Sequence, residues 1–313
     1  MKIQVIISAV FFFWICSFKE QSLPAGAQQF VVITGVAQDA GYPQAGCTKE
    51  CCAAYYNGKA EKRNVVSLAF IDQQTQTYFL VEATPDLNEQ LQLIQPYLSK
   101  KVQQPGAIFL THAHIGHYTG LMYLGREAMN TSNVPVYTLP RFNHFLQNNG
   151  PWSQLVTLQN IALHPIQPDS LVRLSDNVAV TALQVPHRDE FSETAGFIIQ
   201  TKRKKLLFIP DIDKWSKWNR NIIELVQSVD YALIDATFYK EGELPNRNMQ
   251  DIPHPFVEES MRLFRDLDPV QKKKIVFIHF NHTNPLLQKN SPAQSEVKQA
   301  GFSVATQGQR IDM

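Results

Sequence analysis

The sequence predicts an α/β protein with helices packed outside a sheet core. Short runs rich in β-branched and aromatic residues recur along the chain, and amphipathic helical stretches alternate with them. No internal repeat, low-complexity tract or Pro/Ser-rich linker divides residues 28–313, so these elements belong to one domain. With 313 residues, 44% of them hydrophobic, the chain can bury a single large core or two packed half-domains sharing one.

In order, strands are expected at 30–37, 64–71, 78–83 and 107–111. Residues 86–99 space Leu87, Leu91, Leu93, Ile94 and Leu98 as one face of a helix, with Asp86 near its start. Another helix is expected from about Tyr118 to Ala128. The second half predicts strands at 134–138, 161–165, 178–185, 195–201, 205–209, 230–235 and 275–280, with helices around 218–227 and 256–267. Periodicity alone leaves open whether the strands make one sheet or two.

The N-terminus differs in character. Lys2 precedes an apolar stretch from Ile3 to Cys16, broken only by Gln4 and Ser8, and Ala25-Gly26-Ala27 offers a small-x-small site. That order describes a secretory signal peptide cleaved after Ala27, so residues 28–313 are expected outside the cytoplasm, in the periplasm. The stretch is short for a membrane span. The alternatives are an uncleaved anchor, or a lipoprotein acylated at Cys16, for which Trp14 and Ile15 are poor neighbours. Charge is balanced, 29 Lys plus Arg against 28 Asp plus Glu, for a net +1. The densest basic patch, Lys202-Arg203-Lys204-Lys205, sits between two apolar runs and reads as a hairpin turn, so no nucleic-acid partner is indicated.

Chemistry concentrates in Ile108-Phe109-Leu110-Thr111-His112-Ala113-His114-Ile115-Gly116-His117. An apolar strand delivers three imidazoles within six positions. Two apart in extended chain, His112 and His114 face the same side and can share one metal ion. Burying three imidazoles without partners is costly, so packing is a poor explanation. His187, Asp211 and His279 likewise stand just beyond apolar strands. Four strand ends carrying His or Asp on one sheet edge are a common way to build a metal site.

The order His-x-His-x-x-His, His, Asp, His resembles the metallo-β-lactamase superfamily across nearly all of residues 30–313. The resemblance implies a four-layer αββα sandwich with its site at one edge. It also implies a first metal set of His112, His114 and His187, a bridging Asp211, and a second set with His117 and His279. One position departs from the pattern: Gly116 stands where the superfamily has an aspartate that binds the second metal. Asp213 is a candidate for the missing carboxylate. The expectation is one ion at low metal and two only when metal is abundant.

A finer resemblance is to the branch containing the pyrroloquinoline quinone biosynthesis protein B family and the cyclic-phosphate phosphodiesterases of phosphonate breakdown. It rests on Gln38-Asp39-Ala40-Gly41-Tyr42-Pro43 before clustered cysteines, and on His279-Phe280-Asn281-His282-Thr283-Asn284-Pro285. It implies a structural zinc on Cys47, Cys51, Cys52 and His282, a closed Cys₃His set. A disulfide from Cys47 with one free thiol, or buried unreactive cysteines, are the alternatives.

The expected activity is hydrolysis of an ester, amide, lactone or phosphodiester in a small-molecule substrate by an exported zinc enzyme. A metal held by His112, His114 and His187 lowers the pKa of its water to about 7 in the best-known zinc case. Asp211 is expected to orient that hydroxide or take its proton, and His117 or His279 to protonate the leaving group if no second metal binds. Manganese also suits the donors. Iron does too, which makes an oxygenase or other cofactor-biosynthesis step the competing reading; a non-catalytic metal-binding protein is the third. Arg188, Asp189, Glu190 and Glu193 follow His187 and read first as a solvated salt-bridged loop, with Arg188 able to bind an anionic group. His254, between Pro253 and Pro255, reads first as a cap or turn and could act only if its loop folds over the site; His144 and His164 read as ordinary. Trp215 and Trp218 read as packing, and 239–255 as an insertion near the site.

Overall fold

The structure, a computed structural model, describes residues 28–313 apart from Asp189 and Asn246. The leader-like segment 1–27, with Cys16 and the Ala27 cleavage site, lies outside the described residues. In chain order the strands are β1 (Gln29–Gly35), β2 (Ser67–Asp72), β3 (Thr77–Val81), β4 (Ala107–Phe109), β5 (Val134–Thr138), β6 (Ile161–Pro165), β7 (Leu171–Ser175), β8 (Val178–Val185), β9 (Thr194–Thr201), β10 (Lys205–Ile209), β11 (Tyr231–Asp235), β12 (Ile275–Ile278), β13 (Ser303–Val304) and β14 (Arg310–Asp312). The helices are α1 (Glu50–Tyr56), α2 (Leu87–Ile94), α3 (Ile115–Tyr118), α4 (Pro140–Asn148), α5 (Trp152–Thr157), α6 (Ile222–Gln227), α7 (Val257–Leu263), α8 (Pro269–Lys274) and α9 (Pro292–Gln299).

Two mixed seven-stranded sheets result, ordered β14-β1-β2-β3-β4-β5-β6 and β13-β12-β11-β10-β9-β8-β7. This is the αββα sandwich. Strand alternation builds its layers: Val31 and Ile33 join the core between the sheets, whereas Phe30 and Val32 face the layer of α2, α4 and α5. Across the central layer Phe109 of β4 meets Phe197 of β9 edge-on, ring centres 5.6 Å apart. The second sheet's outer face is covered by Ile222 and Val226 of α6, Val257 of α7 and Val297 of α9.

Strand direction decides where the chemistry goes. β3 and β4 are parallel, and β1 points the same way because two antiparallel pairings separate it from β3. In the other sheet β10, β11 and β12 are parallel, and β8 matches them through antiparallel β9. The C-terminal ends of β1, β3 and β4 therefore share one edge, and so do those of β8, β10, β11 and β12. Among the described residues no helix is long and apolar enough to cross a membrane.

Some boundaries differ from the sequence expectation. The 86–99 helix ends at Ile94 and continues as a 3-10 turn, Gln95–Tyr97, where Pro96 removes a backbone donor. Asp86 does not cap it with its side chain; its carboxylate accepts from the Val65 N–H at 2.8 Å. The helix expected at 118–128 instead starts at Ile115 as one turn and passes into a 3-10 segment, Thr119–Leu124. Glycines at 116, 120 and 125 weaken that helix. The helices expected at 218–227 and 256–267 shorten to α6 and α7. Strands β7, β13 and β14 escaped the pattern: β7 is an exposed edge, and the others are three residues or fewer. Lys202–Lys204 do form the β9–β10 turn.

Gly120 seats the histidine loop on the end of β3, its N–H donating to the Ala83 carbonyl at 2.9 Å. A Cβ there would lie 2.0 Å from the Thr84 carbonyl oxygen, which is backbone and cannot step aside. We expect Gly120→Ala to destabilise the protein by about 1–3 kcal/mol or more, as overpacking does. Thermal unfolding checks this, and an unchanged Tm would contradict the close approach.

Candidate metal centre

The shared strand ends bring the predicted residues together. His112 and His114 follow β4, His117 lies in α3, His187 follows β8, Asp211 follows β10 and His279 follows β12. Donor atoms of His112, His114, His187 and Asp211 lie within 4.8 Å of one another, and those of Asp39, His117, Asp211 and His279 form a second such set. Asp211 belongs to both. One carboxylate oxygen stands 3.2 Å from His187 Nε2, and the other 3.4 Å from His112 Nε2 and 3.7 Å from the Nε2 atoms of His117 and His279.

Four imidazoles aim Nε2 at Asp211; three have Nδ1 hydrogen-bonded from behind, and in the fourth, His117, Nδ1 faces a carboxylate. His112 Nδ1 is 2.8 Å from Thr111 Oγ1, and His279 Nδ1 is 2.8 Å from Thr237 Oγ1. His187 Nδ1 is 3.3 Å from Asp213 Oδ1, and His117 Nδ1 is 3.3 Å from the buried Glu82 carboxylate. His114 presents Nδ1 instead, 2.7 Å from His112 Nε2. Two of the residues that fix this arrangement hold left-handed backbone: Glu82 at φ 79° and His279 at φ 70°. Such conformations in non-glycine residues persist where the surroundings impose them, often at functional sites.

These residues fit a bound metal. His187 Nε2, His279 Nε2 and Asp211 Oδ1 are buried without a hydrogen-bond partner, an expensive arrangement for a site built only of protein. Burial, reinforced by the charge of His117, keeps the His112 pKa well below its usual value, and burial pushes His114 down to about 4. Both are therefore neutral at pH 7, with lone pairs free for a metal. Burial works against ionised Asp211, but His187, His254 and His279 outweigh it and hold its carboxyl well below the usual range. For His117 burial favours the neutral form, yet Glu82 and Asp39 raise its pKa well above normal.

Three residues enter the site that sequence reasoning did not place there. Asp39, in the loop after β1, puts Oδ1 2.8 Å from His117 Nε2 and 3.7 Å from His279 Nε2. Glu82 backs His117. His254, expected as a cap or turn, is buried, with Nδ1 2.8 Å from Asp235 Oδ2 and 3.2 Å from Asp211 Oδ1. The insertion carries it there by folding on its own small core of Phe238, Met249 and Phe256. Burial alone would lower the His254 pKa, but Asp235 and Asp211 raise it to about 9.

Asp213 is not the missing second-set carboxylate. It turns back to His187 and to Lys217, 3.1 Å away, and so orients that imidazole instead. Arg188 lies at the mouth, its guanidinium 3.0 Å from His114 Nε2. Glu193 accepts from the Arg141 N–H at 3.0 Å at the start of α4. Trp215 and Trp218 pack as expected, their indole N–H groups donating to Ser260 Oγ and the Gln184 carbonyl. His144 bonds with Asn148, and His164 stacks on Tyr137, both away from the centre.

A separate cluster joins Cys47, Cys51 and Cys52 to His282. His282 Nδ1 is 3.6 Å from Cys51 Sγ and 3.4 Å from Cys52 Sγ, and the Cys47 and Cys51 sulfurs are 3.9 Å apart. All three cysteines are free, so the disulfide alternative does not describe this structure. Adjacent Cys51 and Cys52 can both face His282 because α1 starts at Glu50 and turns the chain between them.

Residues 77–280, more than half of the chain, match the Beta-lactamase superfamily domain. The chain belongs to that superfamily. Relatives span its length: coenzyme PQQ synthesis protein B of Pseudomonas putida (strain W619) is 24% identical over 310 residues, covering 91% of this chain and 100% of the relative. Its counterpart in Klebsiella pneumoniae (strain 342) is 27% identical over 311 residues, covering 91% and 98%. Zn(2+)-bound PqqB from Methylobacterium extorquens superposes with a TM-score of 0.77 at 22% identity, covering 91% of this chain and 100% of that one. A diphosphatase of the PhnP family superposes at 0.61 with 17% identity, covering 90% and 96%. At those identities the two structures establish the shared fold, and the branch that the sequence motifs resemble is represented among the relatives.

Proposed function

We propose that this superfamily member is a metal-dependent hydrolase of small-molecule phosphodiesters, lactones or related esters. The observation that carries the reading is Asp211, buried between two sets of imidazoles whose Nε2 atoms converge on it. When bound, zinc or manganese would polarise the scissile group and lower the pKa of the attacking water. His112, His114 and His187 would hold a metal at the first position, with Asp211 placed between that set and the second. Arg188 at the mouth suits an anionic substrate. The signal-peptide pattern supports placing the reaction outside the cytoplasm.

Proton donation falls to His254 in this reading, rather than to His117 or His279, which the second set engages. Against burial, Asp235, 2.8 Å from Nδ1, raises the His254 pKa, which suits the imidazolium to protonate the departing oxygen. That acid is present below its raised pKa and is lost as pH rises through it. A panel of metal-loaded assays tests the reading. His254→Asn should lower kcat by about 10²–10⁴-fold on substrates with alkoxide leaving groups. The loss should be far smaller on p-nitrophenyl esters, whose leaving group needs no proton, and metal content should not change. Equal losses on both would remove His254 from that role.

Similarity to the coenzyme PQQ synthesis proteins over their full length favours a second reading, a cofactor-synthesis step at the same site. Oxygen consumption by the iron-loaded protein, with no ester turnover by the zinc or manganese form, would decide for it.

A further inference from the structure

Gly116 and Asp39 are two halves of one exchange. A Cβ at position 116 would stand 2.3 Å from the Asp39 Cα and 2.8 Å from the Asp39 carbonyl oxygen, so any side chain there collides with backbone. The loop after β1 thus occupies the space that a side chain at 116 would need, and it returns a carboxylate beside the same histidine. The placement is built. The Gln38 N–H donates to the Phe280 carbonyl at 2.8 Å, tying the loop to the segment that carries His279. The Gly41 N–H closes a turn onto the Gln38 carbonyl at 2.7 Å, with Gly41 in left-handed backbone at φ 70°. Asp39 Oδ1 then reaches His117 Nε2 and His279 Nε2, and its Oδ2 comes within 4.0 Å of His114 Nδ1.

We propose that Asp39 is the terminal carboxylate ligand of a second active-site metal, transposed from the histidine motif to the loop after β1. This rests on the metal-centre reading above and deepens it. The second set becomes His117, His279, Asp39 and bridging Asp211, two nitrogens and two carboxylates, a donor set that suits zinc, manganese or iron. Gly116 then marks a relocated ligand, and both active-site positions bind tightly. This proposal predicts two tight positions, where the sequence alone led to the expectation of one tight and one weak.

The test is metal binding, independent of turnover. Apo protein is titrated with zinc against a chromophoric chelator, and separately with cobalt(II). Thiolate-to-cobalt charge transfer marks the cysteine cluster, and ligand-field bands mark the histidine–carboxylate positions. Wild type should take two tight equivalents in the latter. Asp39→Ala and the isosteric Asp39→Asn should leave the thiolate band intact and weaken one equivalent by at least about 10–100-fold, the loss typical of removing even an outer-sphere partner. Gly116→Ala should produce the same deficit with every donor still present, by pushing the loop away. Two tight equivalents in both Asp39 variants would overturn the proposal while leaving the metal centre standing. No ion at the histidine–carboxylate positions of wild type would instead refute the centre itself. Melting curves identify any variant that fails to fold, and Asp39→Asn, which keeps the side chain's size, then decides.

Discussion

Asp211→Asn is expected to abolish metal binding at both proposed active-site positions and to lower the proposed hydrolysis by about a thousandfold or more. The expectation follows from geometry: this carboxylate faces His187 and His254 with one oxygen and His112, His117 and His279 with the other. An amide keeps the shape but offers one neutral oxygen and an NH₂ donor, so one face would direct N–H groups at imidazole nitrogens meant for a cation. Lewis-acid assistance supplies several kcal/mol of transition-state stabilisation, and about 1.4 kcal/mol is a power of ten in rate. Metal analysis and steady-state kinetics on one preparation check it. A variant that keeps two ions, or loses less than tenfold in rate, would show that Asp211 does not bridge.

Cys52→Ser has the second large effect, on stability. Cys52 is fully buried against His282 Nδ1, and its neighbours Cys47 and Cys51 complete the set. Zinc held a thousandfold above its Kd contributes about 4 kcal/mol, which at roughly 2–4 °C per kcal/mol lowers Tm by about 10 °C when lost. The variant should also lose the thiolate charge-transfer band with cobalt. An unchanged Tm in wild type before and after chelation would return the cysteines to simple packing. The cluster also matters for the site: its cysteines follow the loop that carries Asp39, and His282 lies three residues beyond His279.

The strand-end histidines were legible because each ends an apolar run, and strand direction then decides that their ends meet. His112, His114, His187, Asp211 and His279 all fall where that reasoning places them. Asp39 was visible only as a motif letter before the cysteines. Its role depends on backbone approaching Gly116 from a distant part of the chain, and no periodicity encodes that contact. Glu82 is a single carboxylate one residue beyond β3, aimed inward by a left-handed backbone that its sequence does not announce. His254 lies in an insertion without helical or strand period, so its arrival beside Asp235 depends on how Phe238, Met249 and Phe256 pack. Asp213 misled because adjacency in sequence to Asp211 suggested a shared role; its side chain turns to the back of His187 instead. Local pattern thus located the candidate ligands that strands deliver, and tertiary packing brings in the residues that loops deliver.

The most direct test of the metal centre as a hydrolytic site is turnover against occupancy. Apo protein, residues 28–313, is reconstituted stepwise with zinc, and each sample is divided for metal quantification and for hydrolysis of a phosphodiester and lactone panel. Turnover should rise with filling of the histidine–carboxylate positions, stay flat while only the thiolate cluster fills, and be absent in His112→Ala at every loading. Fully occupied protein that hydrolyses none of the panel, or His112→Ala that matches wild type, would contradict it.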